Sequence, residues 1–122
     1  MTKKYIFMDL DGTIIDHSHN GILPSTLYTI KELQKNGHEV IIATGRPPAL
    51  FFDVDKKLGI NSYIAANGAL TVHNGKIILS NTIDRKLIDQ LIAFSIENRI
   101  DLGFESLTHF CLFSRFLIYI KI

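Results

Sequence analysis

A short apolar run, Tyr5 to Met8, breaks off into Asp9-Leu10-Asp11-Gly12-Thr13, and this edge constrains the chain more than any other feature. Residues 3–9, a nearly continuous apolar segment, read as a strand buried on both faces of a parallel sheet. A second run, Glu39 to Ala43, breaks off into Thr44, Gly45 and Arg46, and a third, Ser62 to Ala66, into Asn67 and Gly68. Between them the periodicity predicts helices. Over residues 25–36, Leu27, Ile30 and Leu33 share one face, Ser25 can cap the start, and Gly37 can take the left-handed position that closes it. Pro47 suits the first turn of another helix, with Phe51, Val54 and Leu58 on its inner face up to Gly59. Strand, helix, strand, helix, strand in that order implies right-handed crossovers and a Rossmann-like α/β architecture, a parallel sheet covered on both sides.

Beyond Gly68 the pattern changes. Ala69 to His73 and Lys76 to Ser80 flank Asn74-Gly75, a strong hairpin signal, so the parallel sheet is expected to give way here to something else. Asp84 to Arg99 reads as an amphipathic helix capped by Asp84, with Leu87, Leu91 and Phe94 inward, and residues 101–105 and 109–120 as strands. The division expected from this topology is a unit over residues 1–80 and a smaller α+β unit begun over 81–122.

Thirteen basic against twelve acidic side chains leave a net charge of +1, which offers no basic field for nucleic acid and no polybasic membrane patch. The run Tyr5 to Met8 is too short for a signal-peptide core. Phe110 to Ile122 contains Arg115 and Lys121 and falls short of the roughly 20 residues that span a bilayer. Cys111, the lone cysteine, reads as a small buried hydrophobe in a reducing compartment, so the expected location is the cytoplasm. Of the five histidines, His17 and His19 lie in one loop and the others are scattered, a spacing that reads as surface residues and not as a metal site.

In open parallel sheets ligands bind outside the carboxyl ends of the strands, so Asp9 and Asp11 stand where chemistry is sought. Thr44, Gly45 and Arg46 end the second strand just before a predicted helix start, a place that favours anions. On Asp9-Leu10-Asp11-Gly12-Thr13, Ala43-Thr44-Gly45-Arg46-Pro47 and Ala66-Asn67-Gly68-Ala69, the chain resembles the haloacid dehalogenase superfamily of phosphatases, in its Cof-type branch. The resemblance covers about residues 4–105. It implies that Asp9 is the nucleophile that becomes an aspartyl phosphate and that Asp11 is the acid/base. It implies that Thr44 and the backbone N–H groups of Leu10 and Gly45 hold the phosphate. Magnesium would be bound by the Asp9 carboxylate and the Asp11 carbonyl oxygen. Arg46 would lie near the pocket entry or be a solvated arginine, and Asn67 would be a pocket residue or simply the turn that ends the third strand.

The chemistry agrees with these roles. A carboxylate attacks a phosphate dianion only when a hard cation offsets the charge between them. Asp11 must be protonated to donate to a leaving alkoxide, and crowding by Asp9 and phosphate would raise its pKa. Only Ile14 to Pro24 separate the first motif from the first helix, too little for a helical cap there. By the resemblance the cap therefore follows Asn67 and selects the substrate, a small phosphomonoester such as a sugar phosphate.

The family pattern also includes a phosphate-binding Lys and an acidic pair that completes the metal site, both after the cap, and no residue of this chain supplies them. Lys56 and Lys57 fall on the second predicted helix and read as solvated. Because phosphate monoester hydrolysis asks for up to roughly 21 powers of ten and one general acid supplies about two to four, such a chain is expected to turn over poorly by itself. Expected alternatives are a truncated, inactive fragment that binds phosphate or a partner chain, and a phosphomutase. The first strand is also expected to be an exposed apolar edge, satisfied by a second copy, by the tail Phe116 to Ile122, or by the rest of a larger protein.

Overall fold

The computed structural model describes residues 2–19, 21–113 and 118–121. The chain runs β1 (Tyr5–Met8), β2 (Ile15–Asp16), β3 (Gly21–Ile22), α1 (Pro24–Lys35), β4 (Glu39–Ala43), α2 (Val54–Leu58), β5 (Tyr63–Ala65), β6 (Leu70–His73) and β7 (Lys76–Ser80). It continues through α3 (Arg85–Asn98), β8 (Leu102–Glu105), β9 (Phe110–Phe113) and β10 (Ile118–Lys121). The main sheet has five strands in the order β1-β4-β5-β6-β7. Its first three strands are parallel, so the mixed α/β, Rossmann-like reading holds. The hairpin is a correction: β6 and β7 extend this same sheet antiparallel to β5, so the sheet does not give way at Gly68. Asn74 and Gly75 both have positive φ, 49° and 74°, as a two-residue turn matched to the twist of its strands requires.

Register decides which side chains meet. Ile6 pairs with Val40, Met8 with Ile42, Ile42 with Tyr63, and Tyr63 with Val72, which puts all of them on one face. Ile30 of α1 and Val54 and Leu58 of α2 pack there with Val40, Ile42, Ala65, Leu70 and Val72 in the core cluster. Phe51 joins them, its ring edge-to-face with Tyr63 at 5.2 Å between centroids. Ile41 is buried but stands outside this cluster, on the opposite face with Phe7, its register partner. Thus α1 and α2 share one face, whereas the sequence pattern predicts helices on both sides. The burial expected for β1 is corrected as well: among the described residues β4 is the strand that pairs with it, and Tyr5 and Phe7 are 55% and 58% exposed.

Two helices differ in detail. Leu23, not Ser25, stands at the cap of α1, with Pro24 in the first turn and no side-chain cap bond. The single helix expected from Pro47 to Gly59 is a 3-10 turn, Pro48–Leu50, followed by the five-residue α2. Phe52 and Asp53 break it by adopting positive φ, 52° and 62°, which an α-helix cannot contain. Phe51, Val54 and Leu58 are nevertheless buried, as the spacing predicts.

After β7, Asp84 caps α3 by accepting the Lys86 N–H at 2.8 Å. Its inward face is Ile88, Leu91, Ile92 and Ser95, while Leu87 and Phe94 are about half exposed, a rotation from the predicted face. Strands β8, β9 and β10 form an antiparallel sheet in the order β10-β9-β8. The stretch 109–120 is therefore two strands, and Ile118–Lys121 joins this sheet instead of covering β1. The remainder of the tail, including Phe116 and Ile122, lies outside the described residues. Cys111 is half-buried.

Ile30 is fully buried, so Ile30→Ala should lower the free energy of unfolding by about 2–5 kcal/mol in urea titrations. Leu87→Ala should cost much less, under about 1 kcal/mol, because that side chain is already half exposed. A large loss at Leu87 would contradict the face assigned to α3.

Candidate active site

Parallel pairing of β1, β4 and β5 brings the three polar strand ends to one edge of the sheet. The chain leaves β1 through a tight loop in which the Ile14 N–H donates to the Asp9 and Leu10 carbonyls and the Ile15 N–H to the Leu10 carbonyl. Leu10 anchors the loop with a fully buried side chain. Gly12 takes φ +78°, the turn that lets Asp11 and Thr13 project from the strand end.

Asp11 is the centre of the charged contacts. The Arg46 guanidinium donates from Nε to Asp11 Oδ2 at 2.8 Å and from Nη2 to Asp11 Oδ1, a bidentate fork that ties the first strand end to the second. Arg46 Nη1 donates to the Leu50 carbonyl at 3.0 Å, which aims the fork, and the guanidinium lies 5.7 Å from the centroid of the Phe52 ring. His17 Nε2 lies 3.1 Å from Asp11 Oδ1. The Arg46 hydrogen bonds and, after them, the charges of Arg46 and His17 hold the Asp11 carboxyl below its ordinary value of 3.8. This is the reverse of the shift expected for an acid: without an anion nearby, Asp11 is a firmly ionised carboxylate.

Asp9 is exposed at the end of β1, and its Oδ1 accepts the Leu10 N–H at 2.8 Å. The Leu10 N–H is thus directed at the Asp9 carboxylate. Thr44 is buried, its N–H donating to the Ile64 carbonyl at 2.9 Å and its Oγ1 accepting the Arg46 N–H at 3.2 Å. The Gly45 N–H has no acceptor among the described residues. Asn67 adopts φ 53° in the turn after β5 and donates its N–H to the Thr44 carbonyl at 3.4 Å. A Cβ on Gly45 would lie 2.9 Å from Asn67 Oδ1, so the absent side chain lets the two loops meet. Thr44, Gly45, Arg46, Asn67 and Asp11 therefore form one connected group, with Asp9 beside it on the same loop.

Arg46 and His17 also line a cavity of about 660 Å³ with Ile15, Ile22, Phe52 and Lys57. A smaller pocket of about 120 Å³ lies between Pro47, Pro48 and Ala66 on one side and Glu105 to Leu107 on the other, which brings the turn after β8 to the rim of the site. Lys56 pairs with Asp53 at 2.6 Å and is solvated, as expected. His17 is the residue that sequence reasoning missed: it is exposed, six positions beyond Asp11, and only the fold of the loop turns it back. His19 behaves as the surface reading predicts, pairing with Asp16, whose pKa Ser18 and His19 lower to about 2.

A family model for haloacid dehalogenase-like hydrolases matches residues 6–118 of this chain. The chain belongs to that family. Among curated hydrolases of similar sequence, the protein named "Putative phosphatase YkrA" of Bacillus subtilis is 41% identical over 99 residues, which are 81% of this chain and 38% of that protein. Phosphatase YwpJ, also of Bacillus subtilis, is 35% identical over 94 residues, 75% of this chain and 32% of its own length. A hypothetical protein from Geobacillus kaustophilus superposes with a TM-score of 0.84 at 31% identity, over 91% of this chain and 43% of that one. The subclass IIB sugar phosphatase BT4131 superposes with a TM-score of 0.70 at 27% identity, over 91% and 44%. The chain thus spans less than half the length of these relatives. Among the described residues, no helix is long and apolar enough to cross a membrane.

Because Asp11 is more acidic folded than unfolded, its contribution to stability is complete above the unfolded value of 3.8 and is lost as pH falls through the lower folded value. Arg46→Gln should raise the Asp11 carboxyl titration seen by carbon-13 NMR, and His17→Gln should raise it less. An Asp11 midpoint unmoved by Arg46→Gln would show that the fork does not persist in solution.

Proposed function

We propose that this site belongs to a magnesium-dependent phosphatase of small phosphomonoesters that works through an aspartyl phosphate on Asp9. The observation that carries the reading is the convergence of three strand ends: Asp11 forked to Arg46, Arg46 bonded to Thr44, and Thr44 bonded to Asn67. The phosphatase names of the curated relatives and of the sugar phosphatase neighbour support it.

The chain's own groups suit the steps. Asp9, exposed at the strand end, attacks phosphorus, and the bond from phosphorus to the ester oxygen breaks as the new one forms. Thr44 Oγ1 accepts from Arg46 and keeps its own proton to donate to a phosphate oxygen, and the Gly45 N–H is available beside it. An incoming phosphate competes for Arg46 and adds negative charge near Asp11. Both changes raise the Asp11 pKa toward the protonated form that a leaving alkoxide needs. Asp11 then gives its proton to the alkoxide and takes one back from the water that cleaves the aspartyl phosphate. In the free protein, therefore, Arg46 and His17 keep the acid discharged until substrate arrives.

The donors for a magnesium ion are the Asp9 carboxylate, whose Oδ2 has no partner among the described residues, and the Asp11 carbonyl, which accepts no hydrogen bond there. Both are hard oxygens, and magnesium commonly takes only one or two protein carboxylates beside water and phosphate, so the set fits a weakly held ion. When bound, that ion supplies charge neutralisation between two anionic groups. The described residues contain no group of three metal-binding side chains, which favours slow turnover, or binding without turnover, as the second reading.

Hydrolysis of an aryl phosphate with magnesium should be abolished by Asp9→Asn and reduced by about two to four powers of ten by Asp11→Asn. Background hydrolysis indifferent to magnesium and to both substitutions would instead support the phosphate-binding, inactive reading. Transfer of phosphate between sugar positions would indicate a mutase.

A further inference from the structure

Arg46 and His17, the cations that hold Asp11, also line the cavity of about 660 Å³ beside it. Its walls come from the β2–β3 pair through Ile15 and Ile22, from α1 through Leu27, and from the break before α2 and that helix itself. All lie between residues 15 and 57, on the face of the sheet that α1 and α2 cover, so the edge of β1 has no part in them. The volume falls within the roughly 300–1,000 Å³ of pockets that enclose a small-molecule ligand.

The wall chemistry is selective. Arg46, His17 and Lys57 are the polar side chains of the lining, the others are apolar, and no side-chain oxygen is among them. A polyol would leave its hydroxyl protons short of acceptors against such walls. Phe52 is suited to a different guest. Its backbone holds φ +52°, which a bulky residue rarely adopts, and the turn buries Phe51 while leaving the Phe52 ring exposed beside the Arg46 guanidinium. Lys56 pairs with Asp53, but Lys57 is exposed and has no hydrogen bond or ion pair among the described residues.

We propose that this cavity holds the leaving portion of the substrate, and that this portion is a flat unsaturated ring carrying an anionic group. The ring packs on Phe52 and the aliphatic walls, and the anion pairs with Lys57. The inference rests on the phosphatase reading above, in which Asp11 delivers a proton to the ester oxygen. That oxygen must lie beside the Asp11 carboxylate, and the groups that flank this carboxylate, Arg46 and His17, are cavity wall. A phosphate held at Thr44 and Gly45 therefore directs its ester substituent toward the cavity. Among small phosphomonoesters, the walls select a planar, acidic alcohol over a sugar.

Amide and methyl NMR of the full chain with magnesium tests this by titration with inorganic phosphate, benzyl phosphate, 4-carboxybenzyl phosphate and glucose 6-phosphate. Every probe should shift the Thr44 and Gly45 amides, and only the two benzyl esters should shift the Ile15, Ile22 and Val54 methyls through the ring current. The carboxybenzyl ester should bind about tenfold more tightly than glucose 6-phosphate. Lys57→Gln should erase its advantage over benzyl phosphate. Phe52→Ala should weaken both benzyl esters about three- to tenfold relative to inorganic phosphate, and Phe52→Tyr should restore them. Thr44 and Gly45 shifts without methyl shifts overturn the cavity assignment while the phosphatase reading stands. Equal affinity for glucose 6-phosphate and the carboxybenzyl ester overturns the selection of a ring. No shift at Thr44 and Gly45 with any probe overturns the phosphatase reading and this proposal with it.

Discussion

The parallel ladder joining β1, β4 and β5 is the constraint on which the remainder depends. Its register sets Val40 and Ile42 over α1 and α2, and the same register delivers Asp9, Thr44 and Ala66 to one end of the sheet. Burial and function are therefore coupled through a period of two: a slip of one residue would expose the core side chains and separate the polar ends together. The site is built on strand ends that the hydrophobic core positions, with short loops supplying only the last turn of the chain.

Electrostatics then organise what the ladder brings together. A single guanidinium satisfies both oxygens of Asp11, the Leu50 carbonyl and the face of Phe52, so Arg46 links the first strand end, the 3-10 turn and the break before α2. The pair is partly exposed, with the Asp11 side chain 38% accessible, so solvent screens its contribution to stability. Its larger consequence is for protonation. In the proposed reaction, the carboxylate held ionised by the Arg46 fork would gain its proton when an arriving phosphate competes for that guanidinium.

Much of this was legible in the residues. The three apolar runs and their polar endings, the inward Ile30, Phe51, Val54 and Leu58, the Asp84 cap and the Asn74-Gly75 turn follow from local rules of period, capping and turn chemistry, and the structure contains each of them. Other features had no local signal. Asn74-Gly75 announces a hairpin but not the sheet it joins, and β6 joins β5 because Leu70 and Val72 complete the same core face. The helix predicted after Pro47 breaks at Phe52 and Asp53; Asp tolerates a left-handed conformation, but Phe52 carries no sequence mark of one.

By itself the sequence determined the α/β class, the order of the elements and the family, because these depend on apolar period and on short motifs that act within a few residues. Tertiary structure alone decided that Arg46 grips Asp11, that His17 turns back to the same carboxylate, and that Gly45 admits Asn67. The Arg46 and Gly45 contacts join segments distant along the chain, and the His17 contact depends on how its own loop folds back. Such partners are set by how strands register and loops fold, which no local pattern encodes.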